Sequence, residues 1–168
     1  LAWIARRMIA IRAATPHDLE SISRLIPDQH ELFMVYPAGR FPFTVDQVEQ
    51  LFEQRFEFTV VCDGDRIIGF ANLYDRVRQN FAFIGNVFIH PDYRGQGLGK
   101  LVLQYMIKAA FEKYHFSEAR LSVFADNERA IALYQQHGFT EYSQEQRADS
   151  NNEEKLLLHM SLANPAIQ

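Results

Sequence analysis

Along this chain, short stretches of apolar residues either alternate with polar ones or run together for several positions. Both patterns are typical of β-strands, the first half-buried and the second buried on both faces. Apolar residues spaced three or four apart predict helices instead, most clearly at positions 98, 101, 102, 105, 106, 109 and 110. Seven strands are predicted, at residues 8–15, 56–62, 66–75, 81–90, 119–125, 139–143 and 155–162.

Capping residues mark the ends of the predicted helices. Thr15, followed by a proline, predicts one helix start, and Thr44 with Gln47 forms a second capping signature. Gly138 is typical of a helix C-terminus. Residues 30–43, the aromatic loop, contain two prolines and a glycine and are predicted to be irregular. Four helices are therefore expected, at residues 15–26, 44–55, 98–114 and 126–138.

The resulting element order is β-α-α-β-β-β-α-β-α-β-β. Strands alternate with helices only in its second half, which argues for a mixed sheet rather than a doubly wound parallel one. The predicted fold class is α/β (α+β), with a mixed central sheet of about seven strands flanked by about four helices on both faces. One domain is expected over residues 8–162, after a leader or vector-derived segment at 1–7 and before a tail at 163–168.

Composition and charge limit the function classes. The 168 residues carry a formal net charge of −4, which argues against a nucleic-acid partner because such proteins usually present a basic face. Cys62 is the single cysteine, so an intrachain disulfide is impossible and a cytoplasmic location is expected. No apolar run approaches the roughly 18 residues that cross a bilayer, so no membrane association is expected. The six histidines show no metal-binding spacing, and no metal is predicted.

Between a predicted strand and a predicted helix, three of five successive positions are glycines without a side chain: Gly95, Gly97 and Gly99. Their spacing fits neither the P-loop nor the dinucleotide fingerprint. The free N–H groups at the helix start still favour an anion, and glycines let a phosphate approach the backbone. Arg94 is placed to pair with such a phosphate. A phosphate-bearing ligand is the interpretation favoured here, and a glycine-rich turn without a ligand is the alternative.

Residues 94–99, RGQGLG, resemble the R/Q-x-x-G-x-G/A signature of the GNAT superfamily of N-acetyltransferases. The residues just before them look like that family's fourth strand leading into its pyrophosphate loop. Residues 126–139 are similar to the family's N-x-x-A-x-x-L-Y-x-x-x-G-F segment. The resemblance covers roughly residues 8–162 and implies the GNAT fold, with acetyl-CoA (coenzyme A) as the donor.

The resemblance also implies positions for the cofactor. The backbone of Val87, Phe88 and Ile89 would pair with the pantetheine arm, much as an added strand pairs with a sheet edge. Asn127 would contact the cofactor, and Tyr134, near the sulfur, would be the general acid that protonates the leaving thiolate. The pyrophosphate would be cradled by Arg94, Gly95, Gln96, Gly97, Leu98, Gly99 and Lys100.

No acidic residue stands where this family carries its general base. The fourth strand lacks the glutamate of some members, and Ser122 occupies the position of an acid in others, including those that act on protein N-termini. The amine proton is therefore expected to leave through water held by Asn86, Ser122 or Asn72, or to pass to Glu31. The alternative for each of these four residues is a structural role.

In this family the acceptor site is built by the first two helices, their connection and the last two strands. Here these parts include the aromatic loop and the polar residues 144–154. Aromatic side chains are expected to shape an apolar pocket, with an arginine to bind a carboxylate or phosphate of the acceptor. The candidates are Tyr36, Arg40, Phe41, Phe43 and Asn72.

The resemblance therefore implies an N-acetyltransferase that moves the acetyl group of acetyl-CoA to a primary amine by direct attack in a ternary complex. The aromatic loop lacks the clustered acids that a polyamine or aminoglycoside needs, so a small, amino-acid-like amine is the expected acceptor. The alternatives are a protein amine, a longer or dicarboxylic acyl donor, an acyl-CoA sensor without turnover, and a nucleotide-binding protein. A homodimer is compatible with an exposed last strand.

Overall fold

A computed structural model of the chain describes residues 7–167, which form one seven-stranded sheet and five α-helices. The strands are β1 Ile9–Ala13, β2 Phe56–Asp63, β3 Arg66–Val77, β4 Phe81–Ile89, β5 Glu118–Phe124, β6 Thr140–Ala148 and β7 Glu154–Ala163. The helices are α1 Leu19–Ser23, α2 Gln29–Val35, α3 Val45–Gln54, α4 Leu98–Lys108 and α5 Glu128–Gln136. The sheet order is β1-β2-β3-β4-β5-β7-β6, and only β4 and β5 are parallel neighbours. The predicted mixed sheet of seven strands is confirmed.

The predicted leader lies largely outside the described residues. Of its seven positions only Arg7 is described, with its guanidinium carbon 4.1 Å from the centroid of the Tyr93 ring.

Two apolar cores cover the two faces of the sheet. On one face α4 buries Leu103 and Met106 against the central strands and β7. On the other face α1 and α3 bury Ile22, Val48 and Leu51 against β2 and β3. Burial of one such aliphatic side chain contributes about 1.5–3 kcal/mol to the free energy of unfolding. The helices therefore hold the sheet from both sides and leave its central strand ends available for a site.

Most local signals in the sequence act as predicted. The Thr44 hydroxyl accepts a hydrogen bond from the Gln47 amide at 3.4 Å, and α3 begins immediately after this cap. The predicted helix over 98–114 is α4 followed by a π-helical stretch at Ala109–Lys113. Gly138 follows α5 with φ +93°, the left-handed conformation that commonly ends a helix.

The prediction of an irregular aromatic loop is wrong in its first half, where α2 lies. The Asp28 carboxylate caps α2 by accepting from the Glu31 amide at 2.8 Å, and Leu32 is buried. The helix ends before Pro37, whose restricted backbone opposes continuation. Two turns of helix are too short to show a repeating apolar pattern. The prolines and the glycine are then the strongest signal in this stretch, and they predict a loop.

Two other element boundaries differ from prediction. The first helix is a 3-10 turn at Pro16–Asp18 followed by the short α1, because the chain must leave the helical conformation before Pro27. Strand β6 runs to Ala148, five residues beyond its predicted end. All nine of its residues are exposed, so it lacks the alternation that predicts a strand, and pairing with β7 stabilises it instead.

Candidate active site

Strands β4 and β5 separate at the centre of the sheet. They pair only from Phe81 opposite Glu118 to Ile84 opposite Leu121. Just beyond, a β-bulge bends β4, because Asn86 and Val87 together oppose a single residue of β3. Asn86 has φ +49°, the left-handed backbone that such a bulge requires. The bulge opens a cleft of about 1130 Å³ between the two strands.

The cleft collects most of the residues that the sequence nominated. Every predicted cofactor residue except Gln96 lines it, from Val87 on β4 to Tyr134 on α5. Of the candidate proton acceptors, Glu31, Asn86 and Ser122 line it, whereas Asn72 is fully buried behind its wall. Of the acceptor candidates, only Tyr36 reaches it.

The remaining acceptor candidates have structural positions outside the cleft. Arg40 and Phe41 are exposed, and the Arg40 backbone forms hydrogen bonds with the Gln47 side chain at 2.9 Å in both directions. Phe43 is buried in the core, in aromatic contact with Phe70. The structure therefore does not bring Arg40, Phe41 or Phe43 to the site.

A polar cluster supports the bulge from behind. Arg55 Nη1 donates to Asn86 Oδ1 at 2.8 Å and to Asn72 Oδ1 at 3.1 Å, and Asn72 Nδ2 donates to Asn86 Oδ1 at 2.8 Å. Asn86 Nδ2 in turn donates to the carbonyl of Val35 at 2.6 Å. The two asparagine side chains thus hold α2, β3 and β4 together, which is a structural role for both.

Arg55 itself was not predicted from the sequence. Its guanidinium lies 4.1 Å from the centroid of the Tyr74 ring and faces the cleft. Burial lowers the pKa of Arg55, and within residues 7–167 no carboxylate forms an ion pair with it. Gly85 makes this arrangement possible, because a Cβ there would come within 2.7 Å of Arg55 Nη1 and would overlap the Tyr74 ring.

One end of the cleft is the N-terminus of α4. Gly95 and Gly97 adopt φ +76° and +79°, which only glycine adopts at little cost. Gly97 is the N-cap, and a Cβ built on it would meet nothing within 4 Å, so the backbone there is open to a ligand. The first amides of a helix have no intrahelical acceptor and carry the positive end of its dipole. This end of the cleft is therefore suited to an anion.

Arg94 stands beside these amides but is already paired. Its guanidinium makes two 2.9 Å hydrogen bonds to the Glu31 carboxylate, and its Nε donates to the carbonyl of Ile89 at 2.9 Å. Glu31 therefore lies at the end of the cleft that is suited to an anion. It does not lie at the apex, the point where β4 and β5 separate. This position does not favour Glu31 as an acceptor of the amine proton.

Helix α5 forms the opposite wall. The Asn127 side chain caps it by accepting from the Ala130 amide at 3.3 Å, so Asn127 is oriented by the helix it begins. Burial raises the pKa of Tyr134 to about 12, which keeps its hydroxyl protonated at neutral pH. The ring packs against Phe139, with 6.1 Å between centroids.

The apex of the cleft, where β4 and β5 separate, holds the predicted Ser122 together with two residues that were not predicted from the sequence, His159 and Glu145. Ser122, the first β5 residue beyond the paired segment, has its Oγ 2.7 Å from His159 Nδ1. His159 Nε2 lies 3.5 Å from a carboxylate oxygen of Glu145. Burial raises the pKa of Tyr74, and the neighbouring Ser122 hydroxyl partly opposes this rise. The sequence signal was a single histidine within the apolar strand β7.

Metal and membrane features can be assessed over the same part of the chain. Among residues 7–167, histidine, cysteine, aspartate and glutamate side chains nowhere gather in a group of three that could hold a metal ion. No helix within that range has the length and apolar character needed to cross a membrane.

The sequence of this chain matches a known protein family. Residues 20–139 match the model of the acetyltransferase (GNAT) family. An uncharacterized N-acetyltransferase of the SPbeta prophage of Bacillus subtilis strain 168 is 23% identical over 141 residues, covering 81% of this chain and 78% of that protein. The spermine/spermidine N(1)-acetyltransferase of the same strain is 37% identical over 83 residues, 46% of this chain and 54% of that protein. The chain thus matches about half the length of this second relative.

The fold agrees with solved structures. Spermidine N-acetyltransferase from Vibrio cholerae, crystallised with CoA and spermine, superposes with a TM-score of 0.78 at 20% identity, covering 93% of this chain and 95% of that one. At this level of identity the likeness concerns the fold.

Proposed function

Because the chain belongs to the acetyltransferase (GNAT) family, whose donor is acetyl-CoA, we propose that it transfers the acetyl group to a primary amine of a small molecule. Transfer is by direct attack of the amine in a ternary complex. One observation carries the proposal: the β4 bulge opens a strand edge that leads directly to the glycine-lined N-terminus of α4. A strand edge and a helix N-terminus in line suit an extended amide-rich arm that ends in a pyrophosphate.

The residues of the cleft fit this donor. Acetyl-CoA supplies an activated thioester when it is bound. The backbone of Val87, Phe88 and Ile89 offers the strand edge, and residues 94–100 offer amides and the Arg94 guanidinium for the pyrophosphate. The helix dipole of α4 adds to this attraction.

Tyr134 is proposed as the general acid. Its hydroxyl lines the cleft and is protonated at neutral pH, as an ordinary tyrosine is, and burial raises its pKa further, to about 12. Within residues 7–167 it donates no side-chain hydrogen bond, so its proton is available to a developing thiolate.

The acceptor is proposed to carry a carboxylate near its amine. Arg55 brings a desolvated positive charge to the acceptor side of the cleft, beside Tyr36 and Tyr74. Arg55 is half-buried and forms no ion pair within residues 7–167, although Asp75 lies near enough to oppose in part the lowering of its pKa by burial. Such a cation favours an anionic group on the ligand and repels a polycation. The proposal therefore favours an amino-acid-like amine over a polyamine, although one relative is named as a spermine/spermidine acetyltransferase.

Location and assembly belong to the same proposal. A cytoplasmic location is supported by the single, buried Cys62, which needs no oxidising compartment. A homodimer is supported by β6, an exposed nine-residue edge strand.

The first experiment is calorimetric titration of the protein with acetyl-CoA. ATP and NAD are the control ligands, since a nucleotide could also bind the glycine loop. Micromolar binding of acetyl-CoA alone is expected, together with its loss in Arg94→Glu because the charge at the phosphate site is reversed. Arg24→Glu is the matched control, since Arg24 is exposed and its only ion pair among residues 7–167 is with Glu20 on the same helix surface. Absence of acetyl-CoA binding to the wild type would remove the proposed function.

A second experiment separates an enzyme from a sensor. Primary amines in matched pairs, with and without a carboxylate, are incubated with acetyl-CoA while thiol release is measured. Faster release with the carboxylate-bearing member of each pair is expected. Binding without release for any amine would indicate a sensor, and the highest kcat/KM for spermidine would contradict the carboxylate assignment.

A further inference from the structure

We propose that Ser122, His159 and Glu145 form a relay that removes the proton of the acceptor amine, an inference that rests on the proposed acetyltransfer. The three residues lie on the neighbouring strands β5, β7 and β6, with Ser122 directly opposite His159 in the register. All three line the cleft, and Ser122 is at the apex where β4 and β5 part. This is where the amine must meet the donor that lies along β4.

The geometry defines the role of each nitrogen of His159. Nδ1 is 2.7 Å from the Ser122 Oγ, and Nε2 is 3.5 Å from Glu145 Oε1. A carboxylate beside Nε2 favours the tautomer with its proton on that nitrogen, which leaves Nδ1 as the acceptor for the serine hydroxyl. Serine alone is too weak a base, but a serine hydrogen-bonded to a neutral imidazole can pass a proton onward.

The proposed step conserves atoms and charge. The N–H bond of the acceptor ammonium breaks as its proton moves to the Ser122 Oγ. The original hydroxyl proton of Ser122 moves at the same time to His159 Nδ1, so serine ends as it began. The products are a neutral amine with a free lone pair and an imidazolium that the Glu145 carboxylate stabilises. Ser122 is the catalytic group that touches the amine, and His159 and Glu145 act through it.

The surroundings allow this change of charge. His159 is packed by Tyr142 of β6, whose ring centroid is 6.1 Å away, and its side chain is only 18% exposed. Tyr74 of β3 lines the same cleft, and burial raises its pKa, so its hydroxyl is neutral at neutral pH. Arg147 Nη2 donates a 2.9 Å hydrogen bond to Glu145 Oε1, the same oxygen that lies 3.5 Å from His159 Nε2. Arg55 and Asp75 are the other charged groups of this part of the cleft.

The competing proton acceptors are less suited. The side chains of Asn72 and Asn86 are occupied by Arg55, by each other and by the Val35 carbonyl. Glu31 is held by both nitrogens of Arg94 at the far end of the cleft. Two further exposed carboxylates line the cleft, Asp75 and Asp126. Asp126 forms an ion pair with Lys155 Nζ at 3.9 Å, so Asp75 is the carboxylate that is tested against the relay.

The test compares His159→Gln, Ser122→Ala and Glu145→Gln with the wild type, measuring acetyl-CoA affinity by calorimetry and the pH profile of kcat. We expect His159→Gln and Ser122→Ala to lower kcat about 100-fold or more, the scale of general-base catalysis, and to leave the acetyl-CoA Kd within twofold. Glu145→Gln should lower kcat less, because it removes only the stabilisation of the imidazolium. Retained acetyl-CoA binding also shows that each variant is folded.

Three readouts distinguish a proton relay from a merely structural contact. The acidic limb of the kcat profile should disappear in His159→Gln. With an acceptor amine that is already neutral at the assay pH, His159→Gln should recover most of the wild-type rate, since no proton need be removed before attack. Ser122→Thr, which keeps a hydroxyl, should retain more activity than Ser122→Ala. His17→Gln, an exposed histidine outside the cleft, is the matched control and should match the wild type.

The relay is overturned if His159→Gln turns over like the wild type, if its acidic limb persists, or if Asp75→Asn loses that limb instead. An acetyl group found on Ser122 by intact-protein mass spectrometry would also overturn it, because serine would then be a nucleophile. In each case the wild type still catalyses acetyltransfer. Wild-type binding of acetyl-CoA without turnover of any amine is a different result, which removes the proposed function and the relay together.

Discussion

At the scale of single residues, Arg94 has two competing partners. The sequence assigns it to a phosphate, whereas the structure pairs it with Glu31 through two 2.9 Å hydrogen bonds. A guanidinium that binds a pyrophosphate with the same two nitrogens must release that carboxylate. Under the proposed donor site, Glu31 therefore competes with the pyrophosphate for Arg94, and its ion pair also holds α2 close to the glycine loop.

Glu31→Gln is expected to tighten acetyl-CoA binding. A half-exposed ion pair is worth up to about 1 kcal/mol, and its loss from the free enzyme corresponds to a roughly fivefold lower Kd. Calorimetry at low and at physiological salt measures the change, which should shrink as salt rises. Glu20→Gln, which removes the exposed pair with Arg24, is the control and should leave the Kd unchanged. Weaker binding by Glu31→Gln would mean that Glu31 orients Arg94 for the phosphate.

At the scale of elements, one carboxylate joins the edge strand β1 to the start of the first helix. Asp18 is nearly buried and receives 2.7 and 2.9 Å hydrogen bonds from the Arg12 guanidinium and one from the Thr15 amide. The Arg12 hydrogen bonds lower the pKa of Asp18 from 3.8 to about 2. The ionised form is therefore more stable in the folded chain than in the unfolded one.

Asp18→Asn is expected to lower the free energy of unfolding at pH 7 by about 1–2 kcal/mol, allowing for the half-exposed Arg12. Because the folded pKa lies below the unfolded one, this contribution is complete above about pH 5 and declines as the pH falls from 3.8 toward 2. Urea unfolding of wild type and variant between pH 7 and 3 should show the two converging. Asp65→Asn, in an exposed hairpin turn, is the control. A difference independent of pH would indicate lost packing instead of lost charge.

At the scale of the whole molecule, the cleft lies between two separately packed cores. Its lining comes from α2, β3, β4, α4, β5, α5, β6 and β7, so a ligand that fills it contacts almost every layer of the fold. A ligand that binds only this assembled arrangement stabilises the fold as a unit.

Acetyl-CoA at 100 times its Kd is expected to add about 2.7 kcal/mol to the free energy of unfolding, which raises Tm by roughly 5–10 °C for a chain of this size. Thermal unfolding followed with and without ligand measures the shift. Arg94→Glu should melt near the wild type without ligand and show little shift with it. An equal shift with ATP would contradict a CoA site and point to a general phosphate site.

The sequence alone determined the features that depend on neighbouring residues. Capping at Thr44, the left-handed Gly138 and the helix that begins after Gly97 follow from local backbone chemistry, so they could be predicted. The same holds for the seven strands, whose patterns lie within ten or so residues, although the pattern of β6 marks only its first part. The motif after β4 carried the family resemblance for this reason.

Only the tertiary structure decided which side chains meet at the apex. Ser122, Glu145 and His159 come together because β7 lies between β5 and β6, a strand order that no local pattern encodes. Arg55 reaches Asn86 across 31 positions, and Arg94 reaches Glu31 across 63. Local propensity acts over a few residues, whereas a proton path needs atoms about 3 Å apart. The proposed proton acceptor, for which β4 carries no acidic residue and β5 offers Ser122 at the apex, therefore depends on packing between strands.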